Sequence, residues 1–450
     1  MQLVSRQKCG IEGSARIRSS QETLKSIIPL CNKIGVTRMS DITRMDRLYI
    51  PNYSAILPGT EDEIWVYSGK GLTRADAKAS ALMESIERYS SLPFSYTGIM
   101  VKGTYSDLTE KYPNVLHPYE VVEDVKQSFN DEETVSDYVP GFDLLSNEKI
   151  MVPAEIALYT HHPEYPSTKV FTHYHTNGLA AGNVLEEAVC HALCEVIERD
   201  AISIADLCAS SIPYSILDNI AECFSEEHGS TLRGARDTIQ RKFVDESGLF
   251  SDIDLLEVAS HFDSVGYLVK RFNDLDLSLL IKEVTQNDIG IPTFVASSTE
   301  WITHDYGYFA KGCGTHPDAC VALLRAISEV SQTRAANIQG ARDDLKRIQY
   351  TAGEEIFKRK WQFMTHRRKK LSNVKSYDNR DILEDIFLIL TRIRKAGLKK
   401  AIIVNLTNPL IGVPVVRAIV PGLETFEIIR SVMGSRARQN FRRIYPTHHH

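Results

Sequence analysis

Glu84 and Glu87 stand three residues apart in ASALMESIERYS, and Glu195 and Glu198 repeat that spacing in CHALCEVIERDA. Both stretches contain A-L-x-E-x-I-E-R. A helix turns about 100° per residue, so each pair shares one face. Glu187 precedes Glu195 by eight residues and joins the same stripe. Arg88 and Arg199 each follow a glutamate at the favourable i,i+4 offset, worth about 0.2–0.5 kcal/mol on a solvated helix. The neighbours, however, are small or apolar, which a solvated face does not explain. If the two helices face each other, the carboxylates converge. A close like-charge pair then costs about 1–4 kcal/mol at ~4 Å, so the cluster requires cations. All-oxygen ligation suits Mg²⁺ or Ca²⁺, and Mg²⁺ is commonly shared with phosphates.

The helix starts favour an anionic ligand. Gly71 to Asp76, Gly182 to Glu186 and Gly314 to Asp318 each read as a glycine turn, a polar cap and an acidic residue shortly after, the pattern of a capping box. Free N–H groups and the helix dipole favour phosphate at such ends. The third start leads into a degenerate copy of the acidic phrase, with Glu329 and Gln332 at its two acidic positions and Arg325 one turn earlier. G-x-x-x-x-G-K-[ST] is absent, so no P-loop is expected; Ser68-Gly69-Lys70-Gly71 is only a minor phosphate signal. Cys190 and Cys194 lie one helical turn apart and are read as buried small hydrophobes rather than metal ligands. His173 and His175 are read as structural. No Ser-His-Asp or Cys-His arrangement follows from spacing.

These residues need a scaffold. The 450 residues are 43% hydrophobic and 24% charged, enough for a large core. The net charge of -6 gives no electrostatic reason to expect nucleic acid or an anionic membrane. The longest basic run, Lys358 to Lys370, is read as a solvated helix face. No apolar run is long enough to span a bilayer, and the start lacks a signal-peptide core. Eight scattered cysteines without C-x-x-C fit a reduced, cytoplasmic setting. Helical periodicity marks Ser19 to Gly35, Arg74 to Ser90, Val184 to Ala209, a helix after KGCGTHPD, and RDILEDIFLILTRIRKAG; strands are expected at EIWVYSGKG, KKAIIVNLT and GVPVVRAIV. LLEVASHFDSVGYLVKRFNDL and LSLLIKEVTQNDIGIPTFVASS supply a helix and two or three strands. Val101 to Pro153 reads as loops and short strands. I-G-[IV]-P occurs twice, in NDIGIPTF and NPLIGVPVV, at the entrance to a strand, where proline's missing donor is harmless. The class is α/β (mixed α+β), with helices and strands interleaved. One catalytic unit over 1–447 is expected, with an N-terminal subdomain at 1–65, a nucleotide core at 66–343 and a C-terminal subdomain at 344–447. His448 to His450 read as a tag remnant.

SGKGLTRADAKASALMESIER, TNGLAAGNVLEEAVCHALCEVIER, GCGTHPDACVALLRAISEVSQTR and VPVVRAIVPGLE resemble the successive signatures of the YcaO family, from Arg16 to about Glu424. The resemblance implies the YcaO fold and an ATP site without a P-loop, with Mg²⁺ held by glutamates on two helices. It implies activation of a peptide-bond oxygen by phosphorylation. Glu84, Glu87, Glu195 and Glu198 match the family's Mg²⁺–ATP glutamates. Asn183, Glu187 and Arg199 match nucleotide contacts, and Arg325 and Glu329 match groups near the phosphates. Arg16, Thr23 and Ser80 correspond to further ATP contacts. The sequence departs from some relatives at Ala180, where a hydroxyl can stand.

Azoline-forming members typically end in a Pro-rich tail, whereas this sequence reads RQNFRRIYPT there. It is closer in pattern to the methanogen YcaO proteins linked to thioglycine formation in methyl-coenzyme M reductase. That resemblance implies a peptide or protein substrate, a sulfide donor, a TfuA protein as a sulfur-delivery partner, and a homodimer. The readings set against it are an azoline-forming cyclodehydratase, a carboxylate-bridged di-metal oxidase, which the missing E-x-x-H disfavours, and a nucleotide-binding protein without activity.

Overall fold

The computed structural model describes residues 1–59, 65–164, 168–210, 229, 231–301, 307–341, 360–429 and 432–445. The tag residues and Pro446 lie outside them, as do Lys358 and Arg359 of the basic run.

Three sheets carry the molecule. The first is antiparallel, in the order β1 (Arg38–Asp41), β2 (Asn52–Ile56), β3 (Val66–Lys70). The third-sheet strands β4 (Val101–Gly103), β5 (Ser136–Asp143), β6 (Glu148–Pro153) and β7 (Leu179–Ala181) come next in the chain. The second sheet follows with β8 (Ser251–Ile253), β9 (Leu280–Glu283), β10 (Thr293–Trp301), β11 (Gly307–Thr315) and β12 (Arg368–Lys369), ordered β11-β10-β9-β8-β12. Finally β13 (Ile402–Asn405) and β14 (Val415–Ile419) complete the third sheet, β4-β5-β13-β14-β7, with β6 on β5. All pairings are antiparallel except β8 with β12.

The helices used below are α1 (Ser20–Ile34), α2 (Arg74–Ser91), α3 (Leu185–Ser210), α4 (Ala319–Gln339), α5 (Ile382–Lys395) and α6 (Ser435–Ile444). Three of them leave an edge strand, each of a different sheet. β3 leads into α2, β7 into α3 and β11 into α4. Backbone closeness fixes each hand-over. A Cβ on Gly69 would lie 2.1 Å from Ala81 N and 2.2 Å from Ala77 O of α2; one on Gly314 would lie 2.0 Å from Ala322 O of α4. Only glycine permits strand and helix backbones to touch this way. Gly69→Ala is expected to lower stability by about 1–3 kcal/mol through overpacking, read by denaturant unfolding; an unchanged midpoint would show that the contact can relax.

The third sheet is buried on both faces. Ile402, Val404, Val415 and Ile419 enter the core under α1 and α2, whereas Ile403, Val416 and Ala418 enter the core under α3 and α5. Strand alternation therefore puts Arg417 on the α2 side of β14. The two I-G-[IV]-P turns have one build. Gly290 (φ +65°) and Gly412 (φ +72°) are left-handed, and their N–H groups bond to Gln286 O and Asn408 O. A threonine Oγ1 then accepts from the first strand residue after each proline.

The structure departs from sequence reading in four places. Val101 to Pro153 holds the eight-residue β5 in a hairpin with β6, and a helix at Tyr105–Lys111. The stretch read as one helix after Asp254 is two, Leu255–His261 and Asp263–Asn273. The described part of the basic run is not a solvated helix: Trp361 and Gln362 are buried, and Lys369 pairs with Glu283. Only α2 has the expected capping box, Thr73 with Asp76. Asp318 is itself the cap of α4, and at the start of α3 Glu187 rather than Glu186 reaches back to Asn183 N.

Candidate active site

α3 is buried almost all round. From Glu186 to Ala209 its partly accessible residues are His191, Glu195 and Arg199, four apart. In α4, from Ala319 to Ser331, they are Arg325 and Glu329. In α2, Glu84, Glu87 and Arg88 are half-buried. On α3 and α4 these residues form a polar stripe left partly open on otherwise buried helices. The sequence-selected glutamates lie on these stripes or beside them, carried by helices from three different sheets.

Their electrostatics show that they converge. Burial pushes Glu87 well above the usual carboxylate range, and Glu195 and Glu84 add to it. Glu87 Oε2 accepts from Ala181 N of β7 at 3.0 Å. Burial also raises Glu195, against the opposing pull of Arg199, Arg417, Arg325 and Arg88. Four arginines thus surround one carboxylate. Glu198 is 4% exposed, its Oε2 has no hydrogen-bond partner among the described residues, and burial holds its pKa up at about 7 although Arg325 and Arg199 oppose it. For Glu329 burial is outweighed by Lys70, whose Nζ lies 2.6 Å from Oε2, and the pKa is lowered. Arg199 and Lys311 meet at Glu427 instead of engaging the cluster fully.

A second network closes the α3 end. Glu187 Oε2 accepts from Asn183 N and Nδ2, both at 2.9 Å, and from Arg16 Nη1 at 3.3 Å; its Oε1 accepts from Ile17 N at 2.7 Å. Thr23 Oγ1 donates to Asn183 Oδ1 at 2.9 Å. Four residues chosen in the sequence over a span from Arg16 to Glu187 form one connected group. Ser80, on α2, is half-buried and joins neither network by a described hydrogen bond. Ala180 lies on β7 opposite Val416.

Sequence reading passed over several groups. His191 Nε2 accepts from Arg325 Nη2 at 2.7 Å, and burial holds the ring neutral. Arg417 is buried beside Glu195 and Glu87, and Lys311 reaches in from β11; Lys70, part of the minor phosphate signal in the sequence, reaches in from β3. Arg417 had a signal: it is the lone charge in the apolar run VPVVRAIV. His191 had the i,i+4 step between Glu187 and Glu195.

Cys190 and Cys194 are buried, as expected. The Cys190 thiol lies with His316 and Asp385 in a group whose ligand atoms fall within 4.8 Å of one another. This cluster already holds a cation, since Lys8 Nζ is 2.7 Å from Asp385 Oδ2. His316 Nδ1 also accepts from Asp318 N, which puts the ring proton on Nε2. A ring so arranged has no lone pair to give a metal.

Comparison with known proteins shows the family and the fold. A family profile described as YcaO cyclodehydratase, ATP- and Mg²⁺-binding, matches residues 68–424. An uncharacterized protein of Methanothermobacter thermautotrophicus is 31% identical over 425 residues, 93% of this chain and 97% of that one. An uncharacterized protein in the tfuA 3' region of Rhizobium leguminosarum bv. trifolii is 27% identical, over 90% of this chain and 87% of its own. Two solved structures share the fold at 22% identity. YcaO from Methanopyrus kandleri, bound with AMPPCP and Mg²⁺, has a TM-score of 0.68 over 95% of this chain and 98% of its own. A heterocyclase in complex with substrate and cofactor has a TM-score of 0.70 over 95% of this chain, which spans 54% of the heterocyclase. No described helix is long and apolar enough to cross a membrane.

Proposed function

The chain belongs to the YcaO family, and from that membership we propose that it is an ATP- and Mg²⁺-dependent peptide thioamide synthetase, converting a backbone glycine amide, in methyl-coenzyme M reductase, to a thioamide. The observation that carries the ATP-dependent part is the convergence of buried glutamates from α2, α3 and α4 with four arginines around Glu195. The residues fit the metal: the donors are all oxygen, and Glu198 Oε2 is a buried carboxylate oxygen without a partner. Glu84, Glu87, Glu195 and Glu198 would hold Mg²⁺, which supplies positive charge against the polyphosphate.

The protein's own groups divide the remaining work. Arg16, Thr23, Asn183 and Glu187 serve the nucleotide at the start of α3, with Ser80 facing it from α2. Arg325, oriented by the His191 ring, binds phosphate, and Arg199 and Glu329 border it. Sulfide adds to the amide carbon, and the C=O pair moves to oxygen. That oxygen attacks the γ-phosphorus as the bond to ADP breaks. The C–O bond then breaks with loss of phosphate, C=S forms, and the S–H proton leaves. Oxide is a very poor leaving group and phosphate a good one, which is why ATP is consumed. A TfuA protein is the proposed sulfur-delivery partner, supported by the relative from a tfuA region.

The family profile's description favours a second reading, a cyclodehydratase in which a peptide side chain replaces sulfide. One experiment separates the two. The protein is incubated with ATP, Mg²⁺, sulfide and a glycine peptide of methyl-coenzyme M reductase carrying ¹⁸O in the target carbonyl. Exchange of oxygen for sulfur in the peptide, with the label in inorganic phosphate, is expected. Loss of water from a peptide containing Cys or Ser would favour the cyclodehydratase, and label in AMP would overturn phosphorylation.

A further inference from the structure

Arg417 stands in the middle of β14, 3% exposed, on the face toward α2. Glu195, Glu123 and Glu87 act on it electrostatically, with Arg88 as the nearby like charge. Its Nη2 donates to His175 Nδ1 at 3.2 Å, and its buried Nε has no hydrogen-bond partner among the described residues. His175 Nδ1 also accepts from Asn177 N at 3.2 Å, while Nε2 lies 2.8 Å from Glu123 Oε1. The ring proton therefore sits on Nε2, donated to Glu123, and Nδ1 is an acceptor. Glu123 fixes the imidazole and the imidazole fixes the guanidinium.

An acceptor of this kind orients an arginine without cancelling its charge. A carboxylate in the place of His175 would hold Arg417 more tightly and neutralise it. A second imidazole acceptor stands nearby, since His191 Nε2 accepts from Arg325, although no carboxylate among the described residues clamps that ring. Burial lowers the pKa of Arg417 to about 10, so the fold keeps this cation at a cost. Glu195, Glu123 and Glu87 face it. A metal that engages Glu195 and Glu87 would draw them away from Arg417, and the unpartnered Nε–H is a donor already inside the protein for an anion that arrives with the metal.

We propose that Arg417 is a catalytic residue that stabilises the phosphoryl group in transfer, and that His175, clamped by Glu123, is the positioning residue that aims it. This rests on the phosphoryl-transfer reading above. The step is the one already written: the bond from γ-phosphorus to ADP breaks while the bond to the peptide oxygen forms, and charge spreads over the equatorial oxygens.

The test uses the full chain, without peptide or sulfide. Calorimetry compares Mg²⁺–AMPPCP, a ground-state mimic, with Mg²⁺–ADP–aluminium fluoride, a mimic of the transferring group. Arg417→Ala is expected to bind AMPPCP within about threefold of wild type and the aluminium fluoride complex at least about thirtyfold more weakly. Added guanidinium should restore much of that loss. Arg417→Lys, which keeps a cation in the fold, should fall between. His175→Leu should resemble Arg417→Ala, whereas His175→Gln, which keeps an acceptor, should stay near wild type. Equal weakening of both ligands would make Arg417 a structural or ground-state residue and overturn the proposal, as would no weakening of either. A His175→Leu protein indistinguishable from wild type would remove the positioning role. If wild type itself does not prefer the aluminium fluoride complex, the phosphoryl-transfer reading fails and this one fails with it. An absent thioamide in the peptide experiment would leave these binding results standing.

Discussion

Glu198→Gln is expected to make the metal-free protein more stable and the enzyme nearly inactive. The side chain is buried, its Oε2 is unpartnered, and its pKa is held at about 7 by burial. A carboxylate whose folded pKa is raised binds its proton more tightly when folded. Its ionisation therefore destabilises the fold as pH rises from about 4.5, where the unfolded chain ionises, and the penalty is complete above about pH 7. A pKa unit is worth about 1.4 kcal/mol, so the penalty is on the order of 3 kcal/mol. The glutamine variant escapes it. The difference in unfolding free energy between variant and wild type should be largest at pH 8 and vanish toward pH 4.5. Taking the difference removes the buried histidines, which titrate alike in both. With Mg²⁺ and ATP the order should reverse, and turnover should fall roughly 10²–10³-fold. A variant that gains no stability at pH 8 and keeps its turnover would remove Glu198 from the charge cluster.

Arg436→Met is expected to unfold the protein at markedly lower denaturant. Arg436 Nε and Nη2 both bond Asp200 at 2.9 Å, and Asp200 is fully buried in α3, next to Arg199. The same guanidinium also engages Asp288. Removing one member of a buried pair leaves an uncompensated charge, worth about 3–5 kcal/mol. Adding Asp200→Asn to Arg436→Met should recover most of that loss. Recovery near zero would show that the loss does not come from an unpaired Asp200, and little loss in Arg436→Met itself would show that α6 is held by its apolar contacts, with Ala437, Ile444 and Tyr445 in the core against α3.

What the sequence displayed of this site were features that repeat or violate local chemistry. Two acidic phrases of one pattern and three glycine turns are visible because each unit is built on a strand, a glycine contact and a helix. The helices α2, α3 and α4 are legible from their period within a few residues, but only the cap of α2 is built as its sequence suggests. Hidden were the partners that meet only through topology. Nothing near Glu427 indicates that it gathers Arg199 and Lys311, because it comes from a single helical turn at Phe426–Ile429. His175 read as structural because Arg417, its partner, lies 242 residues away. The hairpin of β5 and β6 was missed because Pro140, Gly141 and Pro153 imitate loop chemistry, and proline is tolerated there by the pairing pattern.

The first residues of the chain carry a consequence for its manufacture. Ser5, Arg6 and Gln7 bond Asp381, Val4 and Arg6 bond Glu186, and Lys8 pairs with Asp385. The separation from Ser5 to Asp381 is 376 residues. A ribosome working at roughly 5–20 residues per second needs on the order of 20–75 s to cover it. Through the second half of that interval the segment can be held by Glu186 alone, without the bonds that Asp381 and Asp385 give it. The strap is therefore fully anchored only once α5 has been made, so a nascent chain stalled before α5 would already contain every glutamate of the cluster and the strap itself, yet lack the carboxylates of Asp381 and Asp385 that tie the strap down.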